Sequence, residues 1–509
     1  MEKQAVAQTR PLANAGLDAE TCFRAYEARD AHFDGRFFVA VRTTGIFCRP
    51  VCPARTPKRA NVEFHASSAA AFAAGFRPCL RCRPERAPRA RGAASPGAAL
   101  VERALTAIEA GALNQDSLER LAGHIGVTSR HLRRLFDEHL GASPVAVAQT
   151  RRLMFARQLI DETRLPFAQV AFSSGFGSVR RFNDAIARAY GCAPGGLRRP
   201  AMAGGRAAHD AAGAPALWVR LGPLSAADFA RLAGFYRTRA YAGVEAVERD
   251  RYARTVRIGA HSGSFELRHD GRMLLLGSTF PDASRLPLIA ARARRMFDLA
   301  APIADVTGHL RADAMLRPAL IDGAPRIPCA WDAYELALRA VLGQQVSVAA
   351  ATTLAGRLVG RFGAPMAVEP GGCASLSRLF PPEQVIAGAA VDDLRALGVV
   401  RARAETLVTL ARHIVQTPGW RERYTGLEDF AAGLCELPGI GPWTAQYIAM
   451  RGFGDPDAFP AADLGLLRSA RALRLAQTPR ALLAHAERWR PWRAYAAQAL
   501  WNFSTKDAA

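Results

Sequence analysis

Lysine is almost missing from this sequence. It occurs three times in 509 residues, at Lys3, Lys58 and Lys506. Arginine therefore carries nearly all the positive charge behind a formal net charge of +22. One source of that bias is a G+C-rich genome, whose codons favour Arg and Ala. The other is a polyanionic partner, most simply nucleic acid, since the guanidinium fork suits phosphate. Long apolar runs are lacking too. No stretch is long enough to span a bilayer, and the opening MEKQAVAQTR has no apolar signal-peptide core. A cytoplasmic location and no membrane partner are expected. Cysteine is too sparse for a disulfide framework: there are nine, with Cys22, Cys192, Cys329, Cys373 and Cys435 scattered and four clustered. No repeat array with a period of about 20–50 residues is visible.

Half of the residues are apolar, and the length calls for several domains. Two stretches without hydrophobic period punctuate the chain: RPERAPRARGAASPGAA (83–99) and PAMAGGRAAHDAAGAP (200–215). The domains expected are 1–86, then a basic linker at 87–99, 100–198, a flexible linker at 199–215, 216–305 and 306–509. Strand signals fill 216–305, with Asp270-Gly271 as a tight turn. Helical period fills 100–198 and most of 306–509. The fold class is therefore multidomain α+β: a small α/β domain, an all-α domain, and a strand-rich subdomain joined to a second all-α domain.

The four clustered cysteines stand in TTGIFCRPVCPAR (43–55) and GFRPCLRC (75–82). Cys48-x3-Cys52 and Cys79-x2-Cys82 offer two close pairs of soft ligands, the donor set of a tetrahedral zinc site. The plain reading is a structural zinc replacing a core too small to stand alone. The basic flanks suggest more. Zinc with four thiolates carries a formal charge of about −2. A bound thiolate stays ionised and nucleophilic. Methylating one sulfur would remove one negative charge and lower the site's repulsion from DNA phosphates.

RTTGIFCRPVCPAR…NVEF…AAGFRPCLRC closely resembles the zinc domain of Ada-type DNA-alkylation response proteins, over about residues 18–86. Spacing does not single out one of the four sulfurs. The resemblance places the acceptor of a methyl group from DNA methylphosphotriesters at Cys48, with Cys48, Cys52, Cys79 and Cys82 on zinc. It also places DNA contacts at Thr44, Arg55 and Arg77, a hydroxyl and two guanidiniums suited to phosphate. Pro53 stands where the family often has Arg.

In the second block, DSLERLAGHIGVTSRHLRRLFDEHLG (116–141) reads as helix, turn at Gly126, and helix. Thr128 or Ser129 can cap the second helix. His131, Arg133 and Arg134 fall on its outer side and Leu132, Leu135 and Phe136 on its inner side. PFAQVAFSSGFGSVRRFNDAIARAYG (166–191) repeats the pattern, with Ser178, Arg180, Arg181 and Asn183 as recognition candidates. An ordinary bundle with a charged face explains one such unit; two in tandem favour DNA binding. The block resembles the AraC-type double helix-turn-helix domain. Cys192 reads as a turn residue.

In the third block, LPGIGPWTAQYIAMRGFG starts at Leu437. Gly439 and Gly441 suit a tight hairpin, and Pro442 the first turn of a helix. Such a helix start can hold a DNA phosphate, often with a monovalent cation. Trp443 and Tyr447, four apart, share a helix face: a core stripe or a stacking pocket. Asp463 follows at the start of an apolar-periodic helix, as an N-cap or something more. Together these resemble the helix-hairpin-helix base-excision DNA glycosylases, most closely the AlkA-type 3-methyladenine DNA glycosylase II. RIPCAWDAYELALRAVLGQQVSVAAA (326–351) and ERWRPWRAYAAQALWNF (487–503) support the match.

That resemblance implies a catalytic carboxylate at Asp463 and a flipped-base pocket of Trp443, Tyr447 and Trp501. Gln345 falls at the wedge position, where the AlkA type carries an apolar residue. Enzymes that also nick the strand use a lysine where Trp443 stands, and no lysine lies between Lys58 and Lys506. Base excision without strand cleavage is expected. The last cysteine is Cys435, so no iron–sulfur cluster is expected. IPCA at Cys329 lacks the His and Arg that follow cysteine in O6-methylguanine methyltransferases; that activity is expected to be absent, with Cys329 as packing.

The reading is a monomeric regulator and repair enzyme acting on alkylated and promoter duplex DNA, with RNA polymerase as a protein partner. The alternative is a non-catalytic, zinc-stabilised transcription factor whose third block only recognises damage.

Overall fold

The run FFVAVRTTGIFC (37–48) closes a hairpin between β1 (Phe38–Val41) and β2 (Ile46–Cys48), with Gly45 in the left-handed region at φ 63°. In the computed structural model, which describes residues 17–84, 87, 96–198, 217–366, 375–417, 419–420, 424 and 426–506, the chain divides into two compact units, Met1–Ala201 and Met202–Ala509. Most of both expected linkers, and Cys373, lie outside the described residues.

In the first unit β3 (Val62–His65) pairs antiparallel with β1, and β4 (Arg77–Pro78) pairs parallel with β2, giving the order β3-β1-β2-β4. Side chains alternate across this small sheet. Phe37, Val39 and Val41 face one side, with Cys22 and Tyr26 of the helix Ala19–Glu27 and the four clustered cysteines. Phe38, Ala40 and Phe47 face the other, against Ala71 and Met154. Met154 belongs to the helix Pro144–Glu162 of the next block. Ala69 and Ala70 of the helix Ser68–Ala73 join the core of Leu121, Ile125, Leu132, Leu135 and Phe136. The two blocks read separately from sequence thus share their interior.

The helical half follows the tandem pattern. Helices Leu118–Ile125 and Ser129–Leu140 form one pair, and Phe167–Ser173 and Val179–Tyr190 the other, joined through Pro144–Glu162. The second helix of each pair starts on a hydroxyl cap. Thr128 accepts from His131 N at 3.2 Å and Ser178 from Arg181 N at 3.2 Å. Each ends at a left-handed glycine, Gly141 or Gly191.

The second unit opens with an antiparallel sheet of β5 (Leu217–Pro223), β6 (Glu245–Val247), β7 (Arg251–Ile258), β8 (His261–His269) and β9 (Met273–Ser278), ordered β5-β9-β8-β7-β6. Helices Ala226–Arg237 and Leu286–Met296 pack on it. From Ile303 onward the chain is helical around one large core. Within it, helix Leu427–Cys435, a five-residue hairpin at 437–441 and helix Pro442–Ile448 form the helix-hairpin-helix. The latter runs into a π-turn at Ala449–Phe453.

Candidate functional site

The parallel pairing of β2 with β4 brings the cysteine pairs together. Phe47 lies opposite Pro78, and Cys79 N donates to Phe47 O at 3.0 Å. The Sγ atoms of Cys48, Cys52, Cys79 and Cys82 lie within 4.8 Å of one another, all buried. A tetrahedral zinc–thiolate site separates its sulfurs by ~3.8 Å, so the four residues fit that ion. Hydrogen bonding among the four, together with burial, pushes the Cys48 thiol well above its ordinary value. A bound cation reverses that balance. Cys22 packs in the same core, and burial pushes its thiol up to about 11.

Arg49, which the sequence reading passed over, braces this centre. Its backbone N donates to Cys82 Sγ at 3.3 Å, its Nη1 to Cys82 O at 3.2 Å, and its guanidinium pairs with Asp34. Thr44 sits exposed in the β1–β2 turn, next to β4, where Arg77 N bonds Gly45 O at 2.8 Å. Arg77 Nη1 lies 3.5 Å from the point where a side chain on Gly191 would begin, at the C-terminus of the helix Val179–Tyr190. Arg55 is exposed beyond Cys52. Arg133, Arg134, Arg180, Arg181 and Asn183 are exposed on the second helix of each pair. Arg133 keeps a loose ion pair to Glu119 at 3.8 Å. Ser178 spends its hydroxyl as a cap.

The second unit assembles a carboxylate on an aromatic frame. Asp463 caps the helix Leu464–Ala472: Oδ1 accepts from Gly465 N at 2.8 Å and Leu466 N at 3.1 Å. The same oxygen accepts from Trp501 Nε1 at 2.8 Å, and Oδ2 from Trp443 Nε1 at 2.9 Å. The N-cap that the sequence predicts is present, and the same carboxylate is the one held by the two indoles. Trp443 and Tyr447 stack at 5.1 Å and 13°, and Tyr447 meets Trp501 edge-on at 6.4 Å. Gly465 makes room: a Cβ there would lie 3.2 Å from Trp501 Cδ1.

The two hairpin glycines differ. Gly439 has φ 83°, and a Cβ there would lie 2.0 Å from Thr406 Oγ1. Gly441 is extended, with open space where a side chain would go. Only the first is needed to make the turn; the second leaves the helix start uncovered. Gln345 is exposed in the left-handed region, φ 55°, between helices Ala333–Leu342 and Val348–Phe362. Its neighbour Gln344, which the sequence reading did not single out, donates to Gly439 O at 2.9 Å and Thr444 Oγ1 at 3.1 Å. That tie locks the turn carrying Gln345 to the hairpin. Cys329 is buried, as its packing assignment requires.

A four-thiolate metal centre beside paired helix-turn-helix units, and a helix-hairpin-helix frame carrying an aromatic-held carboxylate, define a DNA-directed regulator fused to a base-excision fold. Comparison with known proteins agrees unit by unit. Residues 21–85 match the metal binding domain of Ada, and 121–200 a helix-turn-helix domain. Residues 219–332 match the AlkA N-terminal domain, and 338–494 the HhH-GPD superfamily of base excision DNA repair proteins. A probable bifunctional transcriptional activator/DNA repair enzyme AlkA of Mycobacterium tuberculosis is 41% identical over 95% of this chain and 96% of its own length. DNA-3-methyladenine glycosylase 2 of Escherichia coli is 33% identical over 54% of this chain and 93% of its own. The solved 3-methyladenine DNA-glycosylase of Archaeoglobus fulgidus shares the fold, with a TM-score of 0.50, 20% identity, and coverage of 57% of this chain and 98% of that one. The chain belongs to the family of bifunctional transcriptional activator/DNA repair enzymes that join an Ada-type zinc domain to an AlkA-type glycosylase.

Proposed function

We propose that this protein senses and repairs alkylated DNA with two separate sites. In the second unit it releases alkylated bases such as 3-methyladenine. The C1′–N bond breaks and its electron pair stays with the base. The sugar becomes oxocarbenium-like, and the Asp463 carboxylate stabilises it. Water then bonds to C1′ and gives up a proton, leaving a free base and an abasic site. Trp443, Tyr447 and Trp501 stack on the flipped base. Gly439 and Gly441 let the hairpin approach a DNA phosphate, where a monovalent cation would offset the charge, and Gln345 fills the gap in the duplex. Trp443 occupies the position a lyase lysine would need, which supports hydrolysis without strand cleavage.

In the first unit Cys48 Sγ attacks the methyl carbon of a methylphosphotriester. The S–C bond forms, and the C–O bond breaks with its pair left on the phosphate as a diester anion. Cys48, Cys52, Cys79 and Cys82 would hold a zinc ion, whose charge would keep the sulfurs ionised. Thr44, Arg55 and Arg77 hold the backbone. The transfer removes one negative charge beside DNA, and Arg133, Arg134, Arg180 and Arg181 then bind promoters of repair genes more tightly, recruiting RNA polymerase. The protein acts in the cytoplasm as a monomer.

The observation carrying the repair reading is the Asp463 carboxylate held by two indole N–H groups over stacked rings. Asp463→Asn and Cys48→Ser, each assayed on methylated duplex, test it. Free base should vanish only in the first, and methylation of the protein, read by mass, only in the second. Loss of both signals in either variant contradicts two separate sites.

A further inference from the structure

The buried end of the aromatic frame holds a charge that base release, as described, leaves unused. Arg451 is 3% exposed. Its guanidinium carbon lies 4.5 Å from the ring centre of Phe235, 4.9 Å from that of Trp501 and 5.4 Å from that of Tyr447. Nη1 donates to Pro328 O at 2.9 Å and Nη2 to Gln498 Oε1 at 2.8 Å. Its buried Nε has no hydrogen-bond partner among the described residues. Both bonds it makes are to neutral oxygens, which a neutral donor would serve without burying a charge. Three ring faces make the charge tolerable. Arg239 adds to the field: its guanidinium lies 4.0 Å over Phe235, and burial, with Arg451 and Arg339 nearby, holds it below its ordinary value.

Arg451 and Asp463 flank the same rings. Trp501 carries the guanidinium over its face and the carboxylate at its Nε1 edge. Tyr447 lies beneath Arg451 and stacks on Trp443, whose Nε1 holds the other carboxylate oxygen. The carboxylate is half-buried at the mouth and the guanidinium fully buried at the inner end.

We propose that Arg451 is the positive end of a fixed electrostatic pair, with Asp463 as the negative end, set across the bond that breaks. The inference rests on the base-release reading and adds a second charge to it. As the C1′–N bond breaks, its electron pair moves toward the base, at the Arg451 end, and positive charge appears on the sugar, at the Asp463 end. Both movements run down the field of the pair. A cationic N-alkylated base is repelled by Arg451 while bound and loses that repulsion as it leaves neutral. A neutral base leaves as an anion that Arg451 stabilises. The positive charge therefore speeds cleavage of either class and weakens ground-state binding of the cationic class alone.

The test cancels the charge in place. Gln498→Glu keeps an oxygen for Arg451 Nη2, gives up the Nε2 bond to Asn502 Oδ1 and adds a negative charge; Gln498→Met gives up both bonds and keeps the positive charge. Full-length proteins are compared in single-turnover release from duplexes carrying 7-methylguanine, which is cationic, or hypoxanthine, which is neutral. Binding to each duplex is measured in the Asp463→Asn background. Gln498→Glu is expected to slow both releases by about 10-fold or more and to bind the 7-methylguanine duplex more tightly, with hypoxanthine binding unchanged. Gln498→Met, which loses the same bond to Asn502 as Gln498→Glu, is expected within a few-fold of wild type. A Gln498→Glu protein that cleaves at the wild-type rate overturns the proposal. So does a Gln498→Met protein as slow as Gln498→Glu, which would make the role one of packing. Wild-type protein releasing neither base would instead remove the base-release reading beneath it.

Discussion

At the scale of single residues, the structure holds one carboxylate still. Asp463 accepts four N–H hydrogen bonds, two from its own helix start and two from indoles. Only one of the four reaches Oδ2, the bond from Trp443. Trp443→Phe keeps a ring to stack on Tyr447 and removes that bond. Base release in single turnover should fall by about 10–100-fold, while binding of alkylated duplex stays near wild type. Equal losses in rate and binding would show that Trp443 acts through stacking alone. Gln344 makes a similar case. Its two bonds to Gly439 O and Thr444 Oγ1 set the turn from which Gln345 projects. Gln344→Ala should weaken binding to duplex DNA more than it lowers the unfolding temperature, since the exposed turn contributes little to the core.

At the scale of elements, the hairpin shows what a sequence pattern tells and what it hides. Gly439 and Gly441 look equivalent as text. In the fold Gly439 lies at φ 83° against Thr406, and Gly441 is extended beside open space. Gly439→Ala should destabilise the second unit by about 1–3 kcal/mol and weaken DNA binding with it. Gly441→Ala should leave stability within about 0.5 kcal/mol and, on the proposed reading, weaken DNA binding only, because its new methyl group would stand in the open space where that reading puts the phosphate. Thermal unfolding beside duplex binding separates the two, and equal destabilisation by both would refute the distinction. The stacked pair Trp443 and Tyr447 was legible because four residues make about one helical turn. Arg451 continues that spacing, yet it lies in the π-turn Ala449–Phe453, where the helical period widens. Periodicity does not place a side chain across such a turn, and no rule of spacing leads to Phe235, which comes from the other subdomain. The cysteine pairs were legible for the opposite reason: metal geometry ties short spacings to one outcome, wherever the strands between them run.

At the scale of the whole molecule, the sequence separates a zinc block from a helix-turn-helix block, and the fold joins them. Nothing local states what covers the second face of β1 and β2; Phe38 and Phe47 are simply apolar until Met154 arrives from more than a hundred residues on. Two polar ties reinforce that face. Ser67 Oγ donates to Leu140 O at 2.7 Å, and Arg83, one residue past Cys82, pairs with Asp161 at 3.2 Å, itself paired with Arg157 at 3.0 Å. Removing the metal should therefore unfold more than the zinc block. Four buried thiols without a cation lose their reason to converge, the β2–β4 pairing loosens, and the core shared with Ala69, Ala70 and Met154 opens with it. Chelation of the reduced full-length protein should lower the unfolding temperature of the first unit by more than about 10 °C and abolish promoter binding, while base release by the second unit continues at its original rate. Asp161→Asn should move the same transition part of the way with the metal still bound. Promoter binding that survives chelation would mean that the helix-turn-helix half stands without the zinc half, and that methyl acceptance reaches the promoter through charge alone.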